Sequence, residues 1–297
     1  MYFPGPGTEL NPLLPLLVAF LVSALTAPAG VSGAFLLLPF QVSVLGFTSP
    51  AVSPTNLLIY NVFAAPGGVY RYVREHRVVW PLVVVLILGT LPGVFTGAVL
   101  RVTYLSAPGA FEVFVGLVLL YLGTRLLYEV VAQLRFGGPW GDTRPADAAV
   151  EIVSVSPWQV AYEFGGKQQS FSVPAVFLLS LVVGVVGGIY SIGGGSIIAP
   201  FLVSVFGLPV YTVAGATMIG TFVTSVSGVA FYEILAATPL GGQVAVGPDW
   251  LLGAVMGVGG LAGTYAGARL QRFIPDFWIR VILGTLVTLL ALRYLIW

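Results

Sequence analysis

Ser191-Ile192-Gly193-Gly194-Gly195-Ser196-Ile197-Ile198-Ala199-Pro200-Phe201 aligns without a gap on Gly30-Val31-Ser32-Gly33-Ala34-Phe35-Leu36-Leu37-Leu38-Pro39-Phe40. In each copy a Gly/Ser cluster opens a short apolar run that contains a Pro. The same register puts Gly46 on Gly207, Asn56 on Thr217 and Gly67 on Gly228. Farther on, after an insertion in the second half, Gly93-Val94-Phe95-Thr96-Gly97-Ala98 matches Gly263-Thr264-Tyr265-Ala266-Gly267-Ala268, and Arg125 matches Arg293. An ordered series of Gly, Pro and Arg matches is hard to obtain from shared apolar composition, so the chain reads as an internal repeat.

The rest of the chain says where such a repeat can live. Of 297 residues, 58% are hydrophobic and 8% charged, and the mean hydropathy is +1.00. Soluble domains carry about 25% charged residues, so this chain cannot cover a water-facing surface; a lipid-facing one should be apolar. At about 20 residues per span there is room for about eight to ten spans. Ten apolar segments are expected: 12–29, 33–46, 50–70, 80–100 and 109–132 in the first half, then 173–190, 195–206, 209–235, 250–269 and 276–296. The second and seventh are only about a dozen residues long. Short, Gly/Pro-interrupted segments at matching places in two halves point to a transporter's binding site.

The same counts exclude other classes. A net charge of +1 leaves no electrostatic footprint for nucleic acid. With no Cys and one His, disulfides, thiol chemistry and a His-rich metal site are all excluded. No nucleophile–base–acid set is visible, and the Ser191–Ser196 turn lacks the Lys of a nucleotide-binding loop. The chain is therefore read as no enzyme, with no cofactor and no metal. The first residues carry no basic n-region, so the apolar run from Pro12 reads as a first span rather than a signal peptide.

Basic residues set the expected topology, because cytoplasmic loops collect Lys and Arg. If all ten segments cross, each half crosses five times and the halves are inverted. Arg71, Arg74, Arg77, Arg125, Arg135, Arg144, Lys167, Arg269, Arg272 and Arg280 then share one side, against Arg101 and Arg293 on the other. If the two short segments are re-entrant, the split is only eight against four. The sharper split favours two inverted repeats of five helices, each with a short half-helix, and both termini outside; a fold-back by the short segments stays open. The expected units are a first transmembrane repeat over 1–132, a cytoplasmic linker over 133–172 and a second repeat over 173–297. Within the linker, Glu151–Val155 and Val160–Phe164 alternate in polarity, Gly165-Gly166-Lys167 turns, and Gln168–Val173 returns, which predicts a β-hairpin or three-stranded meander.

The two Gly-rich turns are the leading site candidates. A helix N-terminus offers free N–H groups and a positive dipole end, and glycines let a ligand approach them. Ser32, Gly33, Ser191, Gly193, Gly194, Gly195 and Ser196 would present two such ends near the membrane midplane, an anion site built from backbone. Tight helix packing is the plainer reading of the same glycines. Asn56, Tyr60, Thr217 and Thr221 could complete the site, since hydroxyls and amides donate to an oxyanion without a buried charge; plain interhelical hydrogen bonding competes with that role. Glu112 and Glu233 lie near segment ends, as interfacial residues or proton sites. Arg125 and Arg293 are matched snorkelling anchors or contacts to a passing anion, and His76 is a loop residue or a pH sensor.

A Gly-rich turn followed by a short apolar helix with a Pro, duplicated in two halves, resembles the TauE/SafE sulfite exporter family of membrane permeases. The likeness covers nearly the whole chain except the central polar stretch. Its second copy fits the Gly-rich pattern, and its first, Ala29-Gly30-Val31-Ser32-Gly33-Ala34, is degenerate. The resemblance implies a multi-pass permease, and the lack of an obvious targeting segment makes a prokaryotic plasma membrane its expected location. It would export sulfite, sulfonates or related organosulfur anions with a proton or cation as coupling ion. An anion channel and a membrane scaffold or sensor working through the central hairpin are the alternatives. Substrate, direction and oligomeric state are not specified by the sequence.

Overall fold

The computed structural model describes residues 1–9, 11–26, 32–63, 69, 73–74, 78–136, 150–192, 194–239, 244–270 and 276–296. Gly30, Val31, Gly67, Arg71, His76, Arg77, Arg144 and Arg272 of the sequence argument lie outside them. The first half runs α1 (Leu13–Thr26), α2 (Ala34–Ser43), α3 (Val52–Leu57) continuing into a π-turn (Leu58–Val62), α4 (Trp80–Thr103) and α5 (Pro108–Phe136). The second half runs α6 (Val173–Tyr190), α7 (Gly195–Ser204), α8 (Val210–Ala236), α9 (Trp250–Leu270) and α10 (Asp276–Ile296). Among the described residues, six helices (α4, α5, α6, α8, α9 and α10) are long and apolar enough to cross a bilayer by length and composition, and α1 and α2 are shorter apolar helices. The Val-rich composition would favour strands in water, but in lipid the backbone must bond within its own segment, and a helix does that.

Helix boundaries follow local chemistry. Pro sits in the first turn of α4 and α6, where its missing N–H leaves no unmet bond. Each short helix ends the same way. Val44 N donates to Phe40 O at 2.9 Å and Phe47 N to Gln41 O at 2.9 Å; Val205 N donates to Phe201 O at 2.9 Å and Leu208 N to Leu202 O at 3.0 Å. Gly46 (φ 69°) and Gly207 (φ 68°) take the left-handed conformation after these helices, which glycine enters without strain. Pro39 inside α2 has no N–H to give the Phe35 carbonyl, and the Tyr190 hydroxyl donates to it instead at 2.9 Å.

The two halves are clasped to each other rather than packed side by side. The extensive helix pairs are α4 with α6, α1 with α9 and α5 with α10, each joining one half to the other. A Cβ on Gly93 or Gly97 would overlap the carbonyl oxygen of Leu181 or Val185, and one on Gly188 that of Val94. In the second clasp, Gly259, Gly263 and Gly267 lie on the carbonyls of Leu16, Phe20 and Ala24. Residue numbers climb together in both clasps, so these pairs run parallel. In α5 and α10 they climb in opposite senses, with Gly116 at Leu295 and Gly123 at Thr288, so that pair is antiparallel. Glycines allow backbones this close, where van der Waals packing and carbonyl contacts hold membrane helices together.

Two small β elements cap opposite ends of the bundle. The three-stranded antiparallel sheet of β3 (Val150–Val155), β4 (Gln159–Phe164) and β5 (Lys167–Ser172), numbered after the N-terminal hairpin of β1 (Tyr2–Phe3) and β2 (Thr8–Glu9), forms as its alternation predicts. It buries Val160, Tyr162, Phe164 and Phe171 against the start of α4 and the turn between α7 and α8. The Tyr162 hydroxyl bonds Thr212 Oγ1 at 3.0 Å, and burial raises its pKa above the usual tyrosine value despite that bond. The N-terminal hairpin buries Phe3 with Phe47 of the turn between α2 and α3. Helix α4 starts at the sheet and ends beside Leu105 of the hairpin cluster. Its 24 residues put the two ends about 36 Å apart.

Candidate functional site

The second-half candidates come together in a narrow cleft. Gly194 and Gly195 at the N-terminus of α7 face Thr217, Gly220, Thr221 and Thr224 of α8, with Ile198 of α7 and Leu86 and Thr90 of α4 around them; the space within is about 10 Å3, room for roughly one water until the helices part. The Gly195 N–H donates to Thr221 Oγ1 at 2.8 Å. A Cβ at position 195 would collide with that oxygen, so glycine is required where α7 meets α8. Thr90, Thr217 and Thr224 donate to carbonyls one turn back in their own helices, Leu86, Val213 and Gly220, at 2.7–2.9 Å. Such back-bonds are exchangeable by a χ1 rotation. Among the described residues no charged side chain lines the cleft. It offers an incoming group hydroxyls and the N-terminal end of a helix, the environment in which oxyanions are held without a counter-cation.

The first-half candidates are placed differently. Asn56 is fully buried and bonded on all sides: Nδ2 donates to Ala34 O at 3.1 Å and to Ser191 O at 3.2 Å, and Oδ1 accepts from Gln41 Nε2 at 3.1 Å. The two Gly-rich turns therefore do approach each other, joined through one amide. Ser191 is the one described non-glycine residue with positive φ, 69°, and its hydroxyl is buried without a partner. Ser53 Oγ, one turn before Asn56, donates to Ile189 O at 2.8 Å. Gly33 is buried, and Ser32 is half-buried with its hydroxyl accepting weakly from Ala34 N at 3.4 Å. Gly193 lies outside the described residues, as do the side chains of Tyr60 and Ser196.

Other sequence candidates sit at the rim. Arg125 and Arg280 both pair with Glu129, at 2.8 and 2.5 Å, at the α5–α10 contact. Glu233 accepts from Trp250 Nε1 at 2.9 Å and borders a wide apolar groove with Leu58, Val62, Val226 and Val229. Thr224, which follows Thr221 among the polar residues of the eighth segment, was legible as a candidate; sequence reasoning gave no weight to Thr90, which is separated from the motifs in sequence, or to Gln41, which directly follows the first of them. Tyr190 and Arg101 also escaped it, and both are fully buried.

Comparison with known proteins agrees with this architecture. Searches of curated proteins and of solved structures found no match. The family model described as Sulfite exporter TauE/SafE matches residues 15–294, from the first helix through nearly all of the last. A match over nearly the whole chain makes this multi-pass membrane protein a member of the TauE/SafE sulfite exporter family.

Proposed function

We propose that the chain is a secondary transporter that exports a small sulfur-containing oxyanion by alternating access, coupled to an ion gradient. The observation that carries this reading is the uncharged cleft where the α7 N-terminus meets Thr90, Thr217 and Thr221. Gly194, Gly195, Thr217 and Thr221 bind the anion there. Ser32, Gly33, Asn56, Ser191, Gly193 and Ser196 belong to the two turns that hold the site together and change as it opens.

We read the halves, 1–132 and 173–297, as inverted repeats. Support comes from the helix pairs: the fifth helices of the two halves pack antiparallel, and the first helix of each half runs parallel to the fourth of the other. Two halves in the same orientation would make the fifth-helix pair parallel. On this reading the 133–172 segment is a cytoplasmic cap, and the basic residues favour that side. The rigid bodies that rock are then not the sequence halves but the clasped pairs, α4 with α6 and α1 with α9, because glycine contacts this tight do not slide.

The test is thermal stabilisation of the purified protein by sulfite, sulfate, thiosulfate, ethanesulfonate, phosphate, chloride and acetate. A ligand at 100 times its Kd stabilises the folded state by about 2.7 kcal/mol. Melting temperature should rise selectively with sulfur oxyanions and stay flat with them in Gly195→Val. No shift with any anion, together with no anion flux in proteoliposomes, would sink the reading.

A further inference from the structure

Arg101, at the end of α4 remote from the sheet, is 0% exposed and has no carboxylate partner among the described residues. Its Nη1 donates to Leu105 O and its Nη2 more distantly to Ser49 O, at 3.5 Å, and the guanidinium lies 3.6 Å from the centroid of the Phe111 ring. Carbonyls and an aromatic face soften a buried charge but do not neutralise it. Its Nε has no acceptor, and the hydroxyl of Ser49, the residue whose carbonyl Nη2 reaches, is shut from solvent with no partner either. Two donors on these neighbouring residues are therefore left unanswered, and among the described residues no carboxylate pairs with the charge. Buried polar atoms in folded chains nearly always have partners.

The place is connected to the cleft. Thr90 lines the cleft, and Arg101 follows it by eleven residues on α4. Thr221 lines the cleft, and Tyr232 follows it by eleven residues on α8. Eleven residues are about three helical turns, so each pair shares one face of its helix, about 16 Å apart. The Tyr232 hydroxyl sits within electrostatic range of Arg101 and donates to Gly188 O at 2.7 Å. Between the two levels, on the same face of α8 as Thr221, Ser225 is buried with an unpartnered hydroxyl. The seam is shut at the Arg101 level by Ala98, Val102, Tyr232, Leu235 and Val246.

We infer that Arg101 and Ser49 form a second oxyanion station, which receives the anion when this end of the α4–α8 seam opens. Arg101 Nε and Ser49 Oγ donate to the anion's oxygens, and the guanidinium supplies the counter-charge that the central cleft lacks. This rests on the transport reading above and adds to it a distal site of opposite electrostatic character, strong where the first is weak.

Ser49→Ala is the cleanest test, because its hydroxyl makes no bond within the protein, so a purely structural role predicts no change at all. Purified wild-type, Ser49→Ala, Arg101→Lys and Arg101→Gln proteins are reconstituted in liposomes. Flux of sulfite and of ethanesulfonate is measured alongside the anion-free melting temperature. The station predicts an unchanged melting temperature for Ser49→Ala with flux reduced by about threefold to tenfold. Arg101→Lys, which keeps the charge but not the fork, loses about tenfold, and Arg101→Gln falls to the level of empty liposomes. Wild-type flux in both Ser49→Ala and Arg101→Lys would overturn the station and leave the cleft reading standing. Wild-type protein that moves neither anion would overturn both.

Discussion

The two Gly-rich turns share a backbone and differ in what fills them. Leu36 N bonds Gly33 O at 3.0 Å and Ile197 N bonds Gly194 O at 3.1 Å; Leu37 and Ile198 repeat the agreement at 3.1 and 2.9 Å. Beside the first turn stands Asn56, long enough to bond Ala34 O and reach across to Ser191 O. At the matching place beside the second stands Thr217, which turns back onto Val213 O and leaves the cleft open. One position, amide in one half and hydroxyl in the other, separates a bracket between the turns from a side chain folded back on its own helix. The two turns give similar frames, and side-chain length decides which one is bridged and which leaves space beside it.

Where the halves are alike, damage should be alike. Gly93→Leu and Gly263→Leu each force a Cβ into a carbonyl of the clasping helix. Both should lose more than about 4 kcal/mol of stability, the range reserved for severe overpacking, and be recovered poorly as monodisperse protein in size-exclusion chromatography. A large loss in one with a mild loss in the other would break the equivalence of the clasps.

Exchange at the differing position sharpens the contrast. Asn56→Thr removes the bracket and leaves the Ser191 carbonyl and the Gln41 amide without their partner. We expect about 2–4 kcal/mol of destabilisation, from about 1–3 kcal/mol for each unsatisfied group, read as a lowered melting temperature. Thr217→Asn is the reverse exchange. It should keep the fold while filling the cleft, weakening anion affinity by at least about tenfold, or about 1.4 kcal/mol, in the thermal-shift titration. If Thr217→Asn bound anions like the wild type, the cleft would not be the site.

The smallest effect belongs to the caps. Tyr162→Phe deletes the bond to Thr212 and should cost about 1 kcal/mol. The pH dependence has a definite sign. Burial raises the Tyr162 pKa in the folded state, so its contribution is complete below the ordinary tyrosine value of about 10 and declines as pH climbs through the raised one. Melting temperature followed from pH 9 to 11 should fall more steeply in the wild type than in Tyr162→Phe.

Much of this was legible in the sequence. All ten expected apolar segments became helices, with ends within a few residues for most, because a lipid-facing stretch has only helix available to it and Pro and Gly mark its limits. The meander between the halves followed from its alternation. The N-terminal hairpin did not, since two-residue strands carry no periodicity; it exists because Phe3 reaches Phe47 and Gly5 N reaches Asp249 Oδ2 at 2.8 Å. The repeat placed Asn56 opposite Thr217 but not the consequence, because side-chain reach to Ala34 and Ser191 is a property of packed helices. Thr90 was invisible for a similar reason: it joins the cleft only because α4 belongs to the clasp with α6. Arg101 read as a stray positive charge between two spans, and nothing local distinguishes a buried arginine from a snorkelling one.

The clasp between α1 and α9 also constrains how the molecule comes into being. Helix α1 has 14 residues, and the helix whose glycines embrace it begins at Trp250. At about 5–20 residues per second, that partner leaves the ribosome tens of seconds after α1 does. Throughout this interval α1 waits among half-made neighbours, while α4 needs only the next few helices to find α6. Biogenesis is therefore lopsided: the α4–α6 clasp can close early as a nucleus, while α1, the first helix made, waits for nearly the whole chain before α9 embraces it. Cells lacking help for lingering helices at the insertion machinery should accumulate chains with α1 unseated.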